Sequence, residues 1–168
     1  MMLTSVPGTF KRGHGFTLIE MMLVMLVIGI SLAMIVPNLS KNPEQVLLEE
    51  GNRLTALLNY ATDISIATGS AIAWDQTAAG YRFLERDQDL KVWKPLMNDT
   101  SLRERTLPED AQIEYVAKQG KQAGNLARVI MNPSGVQAPF EIGLHNESAH
   151  IKVVGNLIGQ IKMIRVEQ

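Results

Sequence analysis

Cysteine is absent from the 168 residues, which removes structural disulfides, zinc–thiolate sites and thiol catalysis. Aromatic residues make up only 5% of the chain, too few for a platform that stacks bases or sugars. Neither sign of charge dominates. Sixteen Lys and Arg stand against 17 Asp and Glu, a net charge of -1, so no bulk basic field draws the chain onto nucleic acid or an anionic membrane. Internal repeats and low-complexity linkers are also missing. What remains is 46% hydrophobic and 20% charged, which excludes disorder throughout. The length is that of one ordinary domain with room for an appendage. The apolar residues, however, are concentrated near the N-terminus.

From Phe16 to Val36 run 21 residues with a single charge, Glu20. As a helix they span roughly 30 Å, enough to cross a bilayer core. Lys11 and Arg12 lie just before the run, and the next basic residue is Lys41. The positive-inside rule puts the N-terminus in the cytoplasm and the rest outside. An ordinary secretory signal has a shorter apolar region and a small-residue cleavage site. Ala33 lies near the end of the run, but no A-x-A pattern follows. A plain membrane anchor leaves Glu20 unexplained, since a carboxylate there costs about 2–3 kcal/mol on insertion scales. A buried soluble helix is a poor fit, because the run is apolar on all faces.

The stretch from Lys11 and Arg12 through Gly13, His14, Gly15, Phe16, Thr17, Leu18 and Ile19 to Glu20 resembles the class III leader of type IV pilins and type II secretion pseudopilins. The resemblance implies cleavage between Gly15 and Phe16 by a membrane peptidase, the prepilin peptidase, which also methylates the new amino terminus at Phe16. It makes Glu20 the fifth mature residue, the family's assembly glutamate. It also places Pro37 where many pilins bend this helix. The chemistry is reasonable on its own terms. A cationic amine at Phe16 of a neighbouring subunit offsets the desolvation of the Glu20 carboxylate in a low-dielectric bundle.

Pro37 and Pro43 interrupt the helix, and an amphipathic stretch resumes at Glu44. Leu47, Leu54, Leu57, Leu58, Ala61 and Ile64 recur at helical spacing and predict a core face. Glu49, Glu50, Asn52, Arg53, Asn59 and Asp63 are assigned to solvent. Gly51 weakens the helix by about 1 kcal/mol against alanine, and Gly69 is its expected stop. The two segments are read as one long helix, half stem and half core element.

Short strands with turn signals are predicted at 70–74, 81–85, 91–94, 113–117, 127–131, 140–144, 150–154 and 160–166. Turns are read at 77–80, 118–125, 132–135 and 155–159, and the longest irregular connection at 95–108. The fold class is α+β, a long N-terminal helix packed on antiparallel β-sheet structure. The domains expected are a leader at 1–15, a transmembrane helix at 16–36, an amphipathic helix at 37–69 and a β-rich periplasmic domain at 70–168.

The downstream order is similar to the H-type, GspH-like minor pseudopilins. The resemblance rests on Ala71 to Trp74, Gly80 to Leu84, Val92 to Leu96 and Thr106 to Pro108, then Ile130 to Gly135 and Pro139 to Leu144. The major pseudopilin is a poorer match, because its C-terminal acidic calcium loop has no counterpart in the ending Ile161 to Gln168. The resemblance implies a structural subunit at or near the tip of a periplasmic filament that exports folded exoproteins across the outer membrane. Its implied partners are the other minor pseudopilins, the major pseudopilin and the inner-membrane assembly platform.

Other sites are weaker. His14 leaves with the leader, while His145 and His150 flank Glu147 across a predicted hairpin turn, short of the usual metal-ligand count. Glu85, Asp87 and Asp89 alternate beside Arg86 and Lys91, without the ligand number or glycine turn of a calcium loop. Asn132, Pro133, Ser134 and Gly135 read as a β-turn and not as a nucleophile elbow. No phosphate-binding glycine loop occurs. The expectation is no catalysis, no metal and no cofactor. The alternative function is that of a FimT-like minor pilin that captures DNA. Against it, Lys152, Lys162 and Arg165 are scattered, and loss of Lys11 and Arg12 with the leader lowers the net charge from -1 to -3.

Overall fold

The computed structural model describes residues 16–35, 42–96, 99–108, 110–123 and 128–166. The leader, Gly15, Pro37 and the join between the two predicted helical segments lie outside them. The chain divides into two compact units, Met1–Ser40 and Lys41–Gln168. In the first, α1 spans Leu18–Ile35. In the second, α2 spans Pro43–Thr68.

Both ends of α2 are written in the sequence. The Asn42 Oδ1 accepts the Glu44 N–H at 3.1 Å, and Pro43 occupies the first helical position, where its missing N–H costs nothing. At the other end Gly69 adopts φ 70°, the left-handed conformation, and donates its N–H to the Ser65 carbonyl at 3.0 Å. The expected stop at Gly69 is therefore where the helix ends.

Leu47, Leu54, Leu57, Leu58 and Ala61 are buried as the periodicity predicts, and Ile64 packs against the same core. Glu50 is the correction. It was assigned to solvent but is only 2% exposed. Its position explains why: Leu47, Glu50, Leu54 and Leu58 are three or four apart and share one stripe. Gly51 lies beside it, and a Cβ there would collide with the Ile151 Cδ1 and come within 2.8 Å of the Met163 Sδ. The glycine that weakens the isolated helix is what lets α2 approach the sheet.

Two antiparallel sheets complete the unit. The first contains β1 (Ile72–Gln76), β2 (Gly80–Arg86), β3 (Trp93–Pro95), β4 (Arg105–Thr106) and β7 (Arg128–Met131). Its order is β3-β2-β1-β7, with β4 pairing beside β3 on β2. The second contains β5 (Gln112–Lys118), β6 (Lys121–Ala123), β8 (Phe140–His145), β9 (His150–Gly155) and β10 (Ile161–Val166), in the order β10-β9-β8-β5-β6. Helix α2 packs against β1 and β7 of the first sheet and β8, β9 and β10 of the second. The core lies between them, with Trp74, Tyr81, Phe83, Met131, Ile142, Leu144 and Ile151 fully enclosed. Within the second unit this is the expected α+β arrangement, a helix packed on antiparallel sheet.

Two short strands escaped the sequence reading. β6 sits inside the stretch read as the turn 118–125, and its hairpin turns on Gln119 at φ 49° and Gly120 at φ 75°. β4 sits inside the 95–108 connection. That connection is pinned: Leu102 is buried, and the Tyr60 hydroxyl donates to the Asp99 Oδ2 at 2.8 Å.

Candidate functional site

The residues singled out at the N-terminus open α1. Thr17 caps it: its Oγ1 accepts the Glu20 N–H at 3.3 Å, and its carbonyl accepts the same N–H at 3.1 Å. Thr17 and Glu20 stand at the spacing of a capping box, so Glu20 lies in the first turn, where the helix dipole favours a negative charge. Thr17 was missed as a functional residue, although the T-x-x-E signature before an apolar run marks it. Among the described residues no side chain pairs with the Glu20 carboxylate. The Phe16 side of the proposed cleavage junction is described and exposed; Gly15 lies outside the described residues.

Every residue from 16 to 31 is exposed, although all but a few are large and apolar. Ser31 hides its hydroxyl by donating it to the Val27 carbonyl at 2.8 Å. Among the described residues of this unit nothing covers the surface, and apolar area of this extent marks an interaction surface. Among the described residues no helix is long and apolar enough to cross a membrane. The apolar run of the sequence continues past the described side chains of α1 to Val36.

The second unit is held rigid by three polar knots. Glu50 accepts the Tyr81 hydroxyl at 2.8 Å and pairs with Arg53 at 2.7 Å, tying α2 to β2. Burial, with the Glu50 charge beside it, pushes the Tyr81 phenol above its ordinary range. Asp75 is buried on β1 and pairs with Arg82 at 3.1 Å and Arg128 at 3.2 Å, its register partners on either side. The third knot anchors the beginning of α2. The Asn146 Nδ2, in the β8–β9 turn, donates to the Pro43 carbonyl at 2.7 Å, and Arg165 of β10 pairs with Glu44 at 2.6 Å.

The remaining sequence candidates are structural. His145 and His150 are register partners whose rings stack at 5.5 Å, and His150 lies 3.5 Å from Glu114. Among the described residues no three His, Asp or Glu side chains gather as a metal site. Asp87 accepts the Asp89 and Leu90 N–H groups and pairs with Lys94 at 2.6 Å, so it organises its own turn. The backbone N–H of Leu90, then Lys94, hold its carboxyl below the usual range. Gly135 donates to the Asn132 carbonyl at 3.0 Å, as the β-turn reading requires. Of the three scattered cations, Lys152 pairs with Glu141 at 2.9 Å and Arg165 with Glu44. Tyr115 also donates its hydroxyl to Glu141, which with Lys152 keeps that carboxyl low.

Comparison with known proteins matches both regions. Residues 10–36 fit the prokaryotic N-terminal methylation motif. Residues 50–159 fit the profile of Type II transport protein GspH. The chain is 23% identical to Type II secretion system protein H of Pseudomonas aeruginosa, covering 94% of this chain and 97% of that one. It is 20% identical to Type II secretion system protein H of Aeromonas hydrophila, covering 94% and 96%. Its fold matches the minor pseudopilin EpsH of the Vibrio cholerae type II secretion system with a TM-score of 0.64 at 15% identity, over 76% of this chain and 99% of that one. The solution structure of Escherichia coli GspH gives a TM-score of 0.57 at 17% identity, over 76% and 94%. With the profile covering most of the chain and a folded unit of the same kind behind a methylation-type N-terminus, the chain belongs to the Type II transport protein GspH family.

Proposed function

We propose that the chain is a minor pseudopilin, cut between Gly15 and Phe16 by a prepilin peptidase and methylated on Phe16. It is then held in the inner membrane by the 16–36 helix, with its N-terminus cytoplasmic and its β-rich unit periplasmic. It joins the pseudopilus at or near the tip, beside the other minor pseudopilins and the major pseudopilin, and is served by the inner-membrane assembly platform. In this reading the chain is a substrate of processing and not an enzyme. The single observation that carries the proposal is the exposed apolar helix α1, opened by Thr17 and Glu20 and joined to a unit that buries its own core.

Glu20 has two roles in this reading. It completes the first turn of α1, and its carboxylate takes the methylated amine of Phe16 of a subunit as partner once water is excluded. Mass spectrometry of the mature chain should show Phe16 first, with one methyl. Cleavage near Ala33 would sink the proposal. Glu20→Gln should leave cleavage intact, because the junction lies upstream, and should reduce exoprotein release and cross-linking to other pseudopilins by at least several-fold. Unchanged release and cross-linking would reject the charge pairing while leaving the processing step standing. Loss of twitching or DNA uptake on gene deletion, with exoprotein release intact, would favour the pilus alternative.

A further inference from the structure

Helix α2 and the edge strand β10 meet along a seam of three contacts. Ile161, Met163 and Arg165 alternate along β10 and share one of its faces, while Glu44, Gly51 and Asn59 recur at two-turn spacing and share one face of α2. At one end Arg165 pairs with Glu44 at 2.6 Å. At the other the Asn59 Nδ2 donates to the Ile161 carbonyl at 3.4 Å. Between them a thioether rests on a glycine: a Cβ on Gly51 would lie 2.8 Å from the Met163 Sδ and 3.5 Å from its Cγ.

Among the described residues the second unit has two methionines, and they are placed differently. Met131 is fully enclosed. Met163 is only partly buried, packs against the core from outside, and lies on the strand that ends its sheet. A thioether within reach of water is oxidised by peroxides to the sulfoxide, which turns a flexible apolar side chain into a polar one. The sulfur lone pair takes one oxygen of hydrogen peroxide: an S–O bond forms, the O–O bond breaks, and the departing hydroxide collects the remaining proton and leaves as water. Sulfur gives up two electrons and the peroxide accepts them.

The seat on Gly51 has no room for that oxygen, since even a methyl group on this glycine would collide with the Ile151 Cδ1 and crowd the sulfur. An oxygen on Sδ either wedges β10 away from α2 or turns the side chain out to where water can solvate it. Both outcomes empty the middle of the seam. What is left is one ion pair with an exposed arginine and one long hydrogen bond, each weak alone. We infer that Met163 is a modification site, a reversible oxidation latch whose sulfoxide releases α2 from β10. Enzymes that reduce methionine sulfoxide restore the thioether and close the seam again. The latch lies wholly within the second unit and does not depend on the filament reading above.

The cysteine-free chain leaves no thiol to compete for the oxidant. Full-length protein in detergent micelles would be treated with hydrogen peroxide and followed by peptide mass spectrometry, urea unfolding and amide exchange. Expected are sulfoxide at Met163 at least tenfold faster than at Met131, a lower urea midpoint, and exchange across residues 44–59 at least tenfold faster, with β1 and β2 unchanged. Met163→Leu keeps the volume and removes the sulfur, so its midpoint and exchange should not respond to peroxide. Met163→Gln puts a polar group in the seam and should lower the midpoint with no peroxide added. Methionine sulfoxide reductases should return the oxidised wild type to its starting midpoint. Sulfoxide at Met163 no faster than at Met131 would overturn the inference, as would its formation with midpoint and exchange unchanged. An equal peroxide response in Met163→Leu would also overturn it, by placing the lesion at another methionine.

Discussion

The two helices are made from nearly the same apolar alphabet and face opposite situations. Helix α1 exposes every described side chain and is apolar all round; α2 hides one stripe and turns the rest to water. The difference teaches where each helix finds its partner. The stripe of α2 is answered by β1, β7, β8, β9 and β10 of the same chain. The surface of α1 is covered by nothing among the described residues of its own unit, and the proposal above gives it lipid and other subunits as its complement. Substitutions in α2 should therefore register as lost folding stability, and substitutions in α1 as lost assembly.

The largest effect expected from breaking that contrast is at Leu58. Leu58→Ala removes a fully buried side chain and should cost about 2–5 kcal/mol. Leu23→Ala on α1, 58% exposed, should leave the unfolding of the second unit within about 0.5 kcal/mol of wild type. Thermal or denaturant unfolding of the full chain in detergent micelles measures both. Equal losses would mean that α1 is part of the fold after all.

Next in size is the Glu50–Tyr81 knot. Tyr81→Phe deletes a buried donor to a carboxylate and should cost about 1.5–3 kcal/mol. The same bond gives a pH signature. The phenol titrates higher in the folded state than in the unfolded chain, so its contribution is complete below the free tyrosine range, about pH 10, and is lost as pH rises through the folded value. Stability of wild type should fall above pH 10, and Tyr81→Phe should flatten most of that fall. A residue of the slope belongs to Tyr60 and Tyr115, whose hydroxyls are also raised, the first mainly by its bond to Asp99 and the second mainly by burial. An identical alkaline slope in Tyr81→Phe would contradict the assignment.

The smallest effect is the sharpest test of packing. Gly51→Ala improves helix propensity by about 1 kcal/mol. The added methyl meets the Ile151 and Met163 side chains, and overpacking of that kind costs about 1–3 kcal/mol. The net expectation is a modest loss, read from the urea midpoint. A stabilised variant would show that α2 does not need its close approach to β9 and β10.

Much of this was legible before any coordinates. Residue pattern alone gave the helical stripe at Leu47, Leu54 and Leu58, the stop at Gly69 and most of the strands, because spacing and turn chemistry are local properties. Glu50 was misread because its charge outvoted its position in the stripe, and its partner Tyr81 lies 31 residues away. β4 is two residues long and β6 is three, shorter than any alternation that marks a strand. Their existence depends on β2 and β5 offering an edge, which is a tertiary fact. At the N-terminus the reverse held. Gly15, Phe16 and Glu20 were singled out from one short local string, and residues 10–36, which contain them, fit the N-terminal methylation motif. The cap at Thr17 was legible in the same string, from its three-residue spacing to Glu20.

The clasp at the start of α2 has a mechanical consequence. Any tension that reaches the second unit along the chain from its N-terminal side enters through Asn42 and the first turn of α2. There the Asn146 amide bonded to the Pro43 carbonyl and the Arg165–Glu44 pair fasten the first helical turn to the β8–β9 turn and to β10. Tension entering the helix is thus divided at once between its own hydrogen bonds and two strands of the second sheet. β9 is held in ladders of six paired residues with β8 and with β10. The joint spreads a load on the first helical turn over the second sheet.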